Sequence, residues 1–347
     1  MRAAESAVRV PSLRSEREIA LNLALRADSK GCPQSRFHPQ PWRVDTFADR
    51  PESGLRRNVN VVSIFDSPFI GSEAVGAGLV RKHQLRANFR AILPDVYVAR
   101  DFHATLADRA MAAWLWSHRH GVLAGVTAAA LHGARWVDES APIELIWVNA
   151  RSPRGVRTSA MRLQPNEVGQ IRGLPVTTPE RTAFDVGRTR GFGRAVARLD
   201  SLARATGLKA RDVEELAARH RGARGLRQLE RVLPMVDAGA QSPKETWLRL
   251  LLIDDGLPRP QTQIPVLGAN GLPFAYLDMG WSEWMVAVEY DGDQHRSDRT
   301  QYVKDIRRTA ELERMGWIIV RVVAEDRPPE ILRRVRTAIA GRQSTLG

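Results

Sequence analysis

The sequence predicts a multi-domain α/β protein with a basic front part and a charge-balanced back part. Its 347 residues exceed the size of one ordinary domain, and 43% of them are apolar, which is enough for a packed core. The net charge is +13, yet residues 241–347 hold 15 basic and 15 acidic residues, so the whole excess lies in residues 1–240. Segments of helical and of strand periodicity alternate along the chain, which is typical of the α/β class.

Composition excludes several classes of protein. The single cysteine, Cys32, excludes an internal disulfide and a cysteine-rich zinc site. No apolar run reaches the roughly 18 residues that a membrane span needs, and charges interrupt the N-terminus where a signal peptide would be apolar. We therefore expect a cytoplasmic protein with no membrane partner. The basic front indicates a polyanion, usually DNA, as partner; the alternative is a charge excess that serves only solubility.

The first hundred residues combine an irregular leader with a basic helical motif. Residues 1–60 are rich in proline and charge, which predicts a disordered leader or a start site placed too early. In residues 61–100, a short helix capped by Ser72 precedes a glycine turn, a basic helix over 81–88 and a strand-like stretch over 91–99 with a turn at Pro94-Asp95. This order indicates a winged helix-turn-helix; the alternative is a small helical cap with a solvated basic face. The candidate DNA-binding residues are Arg81, Lys82, Arg86 and Arg90.

Residues 101–236 are predicted to form an α/β and helical domain. Helices are expected over 106–120 and 126–133, and strands over 143–148 and 174–178. Thr178 and Pro179 are the preferred cap and first residue of a further helix. Residues 192–233 are helical, amphipathic and rich in arginine, so they contact nucleic acid or form a solvated face. The polar segment 237–241 is predicted to be a linker at the main domain boundary.

Residues 242–341 predict a separate domain around a mixed sheet, followed by a tail over 342–347. Ser242, Pro243 and Glu245 stand in the preferred order at the start of an apolar helix. Strands over 274–279 and 285–290 form a hairpin, and a helix over 298–315, a strand over 317–323 and a helix over 328–340 follow. The element order is helix, strand, strand, helix, strand, helix, which indicates an α/β sandwich.

Acidic residues gather where the two hairpin strands end. Asp278 lies on the first strand, and Glu289 and Asp291 stand two positions apart on the second, so these two share a face. Three converging carboxylates are costly unless a cation neutralises them, and oxygen ligands suit Mg²⁺ or Mn²⁺. The sequence therefore predicts a metal site that could support phosphodiester hydrolysis. The alternative is a hairpin with solvated surface acids.

Several neighbouring residues could assist this chemistry. His295 follows a glycine turn that folds it toward the acids, as a metal ligand, a general base or a loop residue without a role. Lys304 and Arg308 share one face of the next helix. Arg308 could bind a phosphate oxygen, or it pairs with Asp305 three positions earlier. Glu245 is a further candidate, although the helix cap alone explains a glutamate there.

The C-terminal part contains, in order, the blocks SPKETWLRLLL, FAYLDMGW, VEYDGDQHR, KDIRRTAELERMGW and IIVRVV. Together they resemble the very-short-patch repair endonucleases of the restriction-endonuclease-like PD-(D/E)xK superfamily. The resemblance implies metal-binding carboxylates at Asp278 and Glu289, an early helical acid at Glu245 and an active-site histidine at His295. Asp291 stands where the superfamily usually has lysine, so Lys304, Arg308 or the metal would have to stabilise the transition state.

The front part contains SEAVGAGLVRKHQLRANFRAILPDVYV, TAAALHGARW and GLPVTTPERTAFDVG. These segments resemble AbiEi-type antitoxins of type IV toxin–antitoxin systems, which join a winged helix-turn-helix to an α/β domain. The resemblance implies operator binding through the basic helix and a cognate toxin as partner.

The two halves together predict a DNA-binding protein with a Mg²⁺-dependent endonuclease-like domain, in which catalysis rests on Glu245, Asp278, Glu289, Asp291 and His295. Cutting both strands would favour a homodimer. The main alternative is an antitoxin-like regulator that binds operator DNA through a nuclease fold without turnover. A role on RNA is a further alternative, because a basic surface does not distinguish nucleic acids.

Overall fold

The computed structural model describes residues 65–149, 151–291 and 299–346, with the side chains of 299–304 and 345–346 left undescribed. The described residues form one compact unit. The expectations for residues 1–60 and for His295 therefore lie outside the described residues. The described chain is mixed α/β and contains three sheets, in agreement with the predicted class.

The first region is a small three-stranded sheet packed against two short helices. β3 lies between β1 and β2 and pairs with both in antiparallel fashion. Asp95 adopts a left-handed backbone (φ 58°) in the turn between β2 and β3, at the predicted Pro94-Asp95 turn. The predicted order of helix, turn, basic helix and hairpin is confirmed. The predicted Ser72 cap is wrong, because the first helix begins at Gly71 after Ile70 and the Ser72 hydroxyl donates to Asp95 instead. The elements are β1 (Phe69–Ile70), α1 (Gly71–Gly76), α2 (Lys82–Asn88), β2 (Phe89–Leu93) and β3 (Val96–Ala99).

The second region has a five-stranded mixed sheet in the order β6-β5-β4-β8-β7, in which β5–β6 and β4–β8 are parallel and the other pairs antiparallel. The strands predicted over 143–148 and 174–178 are present as β5 and β8, but β5 ends at Ile146, two residues early. The elements are α3 (Leu106–Trp116), β4 (Val122–Leu123), α4 (Gly125–Leu131), β5 (Ile143–Ile146), β6 (Val156–Ser159), β7 (Val168–Ile171) and β8 (Leu174–Thr177).

A helical layer follows this sheet. The predicted cap is confirmed, because the Thr178 hydroxyl accepts a hydrogen bond from the Arg181 N–H at 3.3 Å and Pro179 begins the helix. The predicted helical stretch 192–233 is divided by turns at left-handed Gly207 and Gly225. The helices are α5 (Pro179–Gly187), α6 (Phe192–Thr206), α7 (Ala210–Arg219) and α8 (Leu226–Val232).

The third region contains a four-stranded mixed sheet in the order β12-β11-β10-β9. β10 and β11 form the predicted antiparallel hairpin, and β11 pairs in parallel with β12 after a helical crossover. β9 was not predicted. Pro265 interrupts its pattern, and a proline is tolerated there because β9 is an edge strand. The elements are α9 (Pro243–Asp254), β9 (Gln261–Leu267), β10 (Pro273–Trp281), β11 (Val286–Tyr290), α10 (Arg299–Arg314), β12 (Ile318–Val322) and α11 (Pro328–Leu346).

Helices cover both faces of this sheet. Leu248 of α9 and Ile331 of α11 pack with Val288 on one face, whereas Leu312 of α10 packs with Ala287 on the other. The strand alternation predicted for 285–290 is therefore confirmed. Among the helices of the described ranges, none has the length and apolar content of a membrane span.

The predicted boundary segment 237–241 is held at both of its ends. The Asp237 N–H donates to Asp200 Oδ1 of α6 at 2.7 Å, and the Gln241 N–H donates to Glu245 Oε2 of α9 at 2.7 Å. Arg249 of α9, fully buried, donates to Asp200 Oδ2 at 2.8 Å. Helix α9 is therefore fixed to α6 by a buried ion pair, across the position where sequence predicts a linker.

Candidate active site

The hairpin of β10 and β11 brings the two principal acids side by side. Met279 pairs with Val288 in the antiparallel register, so Asp278 and Glu289 lie on neighbouring strands next to that pair. The Tyr290 N–H donates a hydrogen bond to Asp278 Oδ2 at 3.0 Å. The backbone of one strand thus orients the carboxylate of the other, as expected at the end of a hairpin.

Asp278 lies in a negative and poorly hydrated environment. Burial is the main cause that raises the pKa of Asp278, to about 7, and the negative charges of Glu245 and Glu289 raise it further. The Tyr290 N–H and the Arg308 guanidinium act in the opposite direction. Near neutral pH the carboxyl group therefore holds its proton about half the time, which marks a site with an excess of negative charge.

Glu245 reaches the same site from the first turn of α9. The Ser242 hydroxyl accepts a hydrogen bond from the Glu245 N–H at 3.2 Å, as the predicted cap requires. The Glu245 carboxylate accepts the Gln241 N–H, one residue before the position that a reciprocal capping box would use. Burial raises the pKa of Glu245, and its charge acts on Asp278. Glu245 therefore takes part in the cap of α9, and its charge also acts on Asp278.

Arg308 neutralises Glu289. Its Nη2 donates to Glu289 Oε1 at 2.6 Å, its Nη1 donates to Glu289 Oε2 at 3.2 Å, and Nη2 also donates to the Tyr276 carbonyl at 2.9 Å. Burial by itself would lower the pKa of Arg308, but the ion pair with Glu289 outweighs it and raises this pKa. The ion pair predicted for Arg308 was with Asp305, but its guanidinium group pairs with Glu289, and Asp305 contributes an electrostatic attraction. Binding of a phosphate oxygen by Arg308 stays a prediction.

The acids open onto one cleft of about 190 Å³. Asp291 lies on its wall, as predicted, and its N–H donates to the Val322 carbonyl at 2.8 Å. The cleft is lined by Asp278, Glu289, Tyr290, Asp291, Asp305, Arg308 and Arg321.

Within the described ranges, no three His, Cys, Asp or Glu side chains already stand together as a metal-holding group. His295, and the side chain of Lys304, lie outside the described residues.

Sequence reasoning missed two cationic residues beside the acids. Arg321 stands opposite Glu289 in the parallel register of β11 and β12 and lines the cleft. The signal was a single arginine inside the apolar run of β12. Lys244 lies with its Nζ 5.7 Å from the centre of the Tyr290 ring, a cation–π contact at the edge of the site. Both add positive charge where an anionic substrate would approach.

The basic residues predicted to bind DNA are displayed at the other end of the chain. Lys82 and Arg86 lie one turn apart on α2, and both are exposed together with Arg81 and Arg90. Arg90 is held by a 2.7 Å hydrogen bond from its Nη2 to the Phe102 carbonyl. Arg100 donates to the carbonyls of Arg86 and Ala87 at the end of α2, which fixes this helix to the hairpin.

Comparison with known proteins yields relatives that align with two thirds of the chain. The chain is 30% identical over 231 residues to "Uncharacterized protein MT2308" of Mycobacterium tuberculosis strain CDC 1551 / Oshkosh, and this alignment covers 67% of the chain and 84% of the relative. The same identity and coverage hold for "Uncharacterized protein Rv2248" of the H37Rv strain. No protein-family model matches the chain, and no solved structure matches it.

Proposed function

The chain belongs to the family of these two Mycobacterium tuberculosis proteins, and we propose that it is a DNA-binding protein whose C-terminal region hydrolyses phosphodiester bonds with Mg²⁺ or Mn²⁺. The observation that carries this proposal is that Asp278, Glu289 and Asp291 line one cleft, while the negative charge of Glu245 also acts on Asp278. Such an arrangement is unfavourable unless a cation is attracted to it.

The residues present fit a hard divalent cation. The acids offer only oxygen atoms, which Mg²⁺ and Mn²⁺ prefer, and the pKa of Asp278 is raised first by burial and then by the negative charges of Glu245 and Glu289. Asp278 and Glu289 would hold the ion, with Asp291 at the wall of the cleft and Glu245 behind Asp278. A bound ion would polarise a phosphodiester and lower the pKa of a coordinated water.

The other residues of the cleft would position the substrate. Glu289 would exchange Arg308 for the cation, which leaves the guanidinium fork free for a phosphate oxygen. Arg321 and Lys244 would add attraction for the DNA backbone. Arg308 would thereby supply the positive charge that related nucleases take from a lysine at the position of Asp291. His295 is proposed to assist the attacking water.

The front region would bind duplex DNA through a winged helix-turn-helix formed by α1, α2 and the β2–β3 hairpin. The exposed Arg81, Lys82, Arg86 and Arg90 would contact phosphates and groove edges. In this proposal the front region positions the protein on DNA, and the C-terminal region hydrolyses the phosphodiester bond.

A second candidate function is supported by the Arg308–Glu289 ion pair. Because the Arg308 guanidinium already offsets the charge of Glu289, this carboxylate needs no metal ion as its partner, as an antitoxin-like regulator with a silent nuclease fold would require. Such a regulator would bind operator DNA without cutting it and would act with a cognate toxin.

Cleavage of supercoiled plasmid with Mg²⁺ or Mn²⁺ distinguishes the two. The nuclease proposal expects nicked or linear product from the wild type and none from Asp278→Ala or Glu289→Ala. Glu283→Ala is the matched control, because Glu283 is an exposed acid in the turn of the same hairpin, outside the cleft. Wild-type protein that binds DNA and leaves it intact, or cleavage that persists in both variants, would favour the regulator.

A further inference from the structure

A cleft larger than the acidic one lies in the second region. It has a volume of about 750 Å³ and is formed by β5, β6, α6 and the loops around α8. Only two carboxylates, Glu144 and Asp185, accompany its arginines. We call it the arginine cleft; its arginines are Arg157, Arg188, Arg190, Arg194, Arg198 and Arg224.

Two of these arginines have structural tasks. Arg188 pairs with Asp185 at 2.7 Å and lies over the Phe184 ring at 4.4 Å. Arg157 lies 3.6 Å from Glu144. Within the part of the chain that the structure describes, the other four guanidinium groups make no hydrogen bond and no ion pair. They belong to Arg190, Arg194, Arg198 and Arg224. The N–H donors of these four guanidinium groups are thus available to bind a ligand in the cleft.

Arg194 and Arg198 stand one turn apart on α6, where like charges repel. Arg198 is half-buried, and burial together with the charge of Arg194 lowers the pKa of Arg198, against the attraction of Glu144. The folded protein therefore holds two adjacent cations at a cost in free energy. An anion between them would remove that cost, which indicates a site for phosphate groups.

A second cavity of about 500 Å³ shares Arg194 and Arg198 with the arginine cleft. Its walls carry two exposed indoles: Trp136 is 60% exposed and Trp247 is 41% exposed. We call it the tryptophan pocket. Single exposed apolar side chains are common, but two indoles grouped in one cavity are typical of a binding site.

The conformation of Trp136 supports a role in binding. Its backbone is left-handed (φ 64°), which is unfavourable for a bulky residue. A 2.9 Å hydrogen bond from its Nε1 to the Gln241 carbonyl holds the exposed ring in place. Strained and well-oriented residues of this kind concentrate at binding sites.

We propose that the arginine cleft and the tryptophan pocket together bind an unpaired DNA strand. Its phosphates lie against the four available arginines, and its bases stack on Trp136 and Trp247. Positive grooves with interspersed aromatic rings are the general solution for single strands, because every base has a face on which to stack. This inference rests on the proposed nucleic-acid function, but it concerns binding and not hydrolysis.

The spread of the arginines favours a strand over a free nucleotide. They come from four places in the chain: strand β6, the α5–α6 connection, α6 and the turn before α8. One nucleotide would meet only part of this set, whereas successive phosphates of a strand reach all of it. Duplex DNA would leave the indoles unused, since its bases are stacked on one another.

The charge half of the proposal is tested by fluorescence anisotropy with a labelled oligothymidylate of about 16 nucleotides, in EDTA so that no cleavage occurs. Arg194→Ala/Arg198→Ala is expected to weaken binding and to reduce the slope of log K against log salt by about 1.4, since about 0.7 is lost per phosphate contact. Arg211→Ala/Arg219→Ala is the control, because both residues are exposed on α7 outside the two cavities. Equal slopes in the two double variants would overturn the proposal.

The stacking half is tested at Trp247. Trp247→Leu keeps an apolar side chain and is expected to weaken oligothymidylate binding about tenfold, whereas Trp247→Phe keeps a ring and most of the affinity. Full affinity of Trp247→Leu would contradict stacking, and complete displacement of the oligothymidylate by equimolar ATP would contradict a strand as the ligand. Because the assay contains no metal, failure of strand binding leaves the plasmid test of hydrolysis unaffected, and the reverse also holds.

Discussion

Arg308 and Glu289 form a two-point ion pair at the centre of the acidic cleft, with distances of 2.6 and 3.2 Å between guanidinium nitrogens and carboxylate oxygens. A metal ion bound by Glu289 would therefore have to compete with the Arg308 guanidinium for the carboxylate oxygens. Arg308 thus offsets the charge of Glu289 in the place that a metal ion would take.

Arg308→Met should tighten Mn²⁺ binding roughly tenfold, since a competing charge-assisted hydrogen bond of moderate strength is removed. The same variant should lose plasmid cleavage, because no guanidinium is left for the phosphate. Isothermal titration with Mn²⁺ measures the first effect. Arg314→Met is the control: Arg314 pairs with Glu311 on the same helix, in an exposed position. Unchanged Mn²⁺ affinity in Arg308→Met would show that Glu289 does not hold the ion.

Asp278→Asn should stabilise the metal-free protein, and increasingly so as the pH rises. A carboxyl whose pKa is raised by folding binds its proton more tightly in the folded state than in the unfolded state. Its contribution to stability is therefore complete below the usual pKa of 3.8 and is lost as the pH rises toward about 7. Asparagine carries no charge to lose, and its side-chain oxygen still accepts the Tyr290 N–H.

We expect a gain of about 1–2 kcal/mol in the free energy of unfolding above pH 7, less than the full pKa shift implies because the site is partly open to water. The gain should vanish near pH 4. Denaturant unfolding in EDTA at several pH values measures it, with Glu283→Gln as the exposed control. A gain that does not change with pH would contradict the pKa assigned to Asp278.

Asp200→Ala should destabilise the protein by about 3–5 kcal/mol, because it leaves the charge of Arg249 buried without a partner. Arg249 is fully buried, and its remaining acceptor would be the Met235 carbonyl at 2.7 Å. Urea unfolding of the full chain measures the loss. Asp212→Ala removes an exposed carboxylate from the neighbouring α7 and should change stability by less than about 0.5 kcal/mol. Similar values for the two variants would refute the structural role of the pair.

Arg86→Ala should weaken duplex binding and reduce its salt slope by about 0.9, the value for one phosphate contact. Arg86 is exposed on α2, one turn from Lys82. Titration of a labelled duplex at several salt concentrations in EDTA measures the slope. Arg333→Ala, at an exposed position of α11, should leave the slope unchanged. If both variants behave as the wild type, α2 is not the duplex-binding helix.

Local patterns predicted the hairpin and its two faces well. Successive side chains of a strand point to opposite faces of the sheet, and Val288 and Ala287 of β11 do lie in separate clusters. The caps at Thr178 and Ser242 were equally predictable, because capping depends on residues only three positions apart.

Contacts between distant elements could not be read from such patterns. Arg308 reaches Glu289 only because α10 crosses over the sheet, and periodicity within α10 offered Asp305 as the nearer partner. Asp200 belongs to a basic amphipathic helix in which nothing local distinguishes it from a solvated acid, yet it is buried against Arg249. β9 was missed because an edge strand tolerates the proline that argues against a strand elsewhere.

The ion pair between α9 and α6 also determines the distance between the proposed strand-binding site and the acidic cleft. Arg194 and Arg198 share helix α6 with Asp200, while Glu245 and Trp247 share helix α9 with Arg249, so the ion pair joins the two helices as one rigid piece. The distance between the two sites would then determine the position of the cut. A strand gripped on α6 and led to the carboxylates would be cut at a constant number of nucleotides from its bound segment, whatever its sequence.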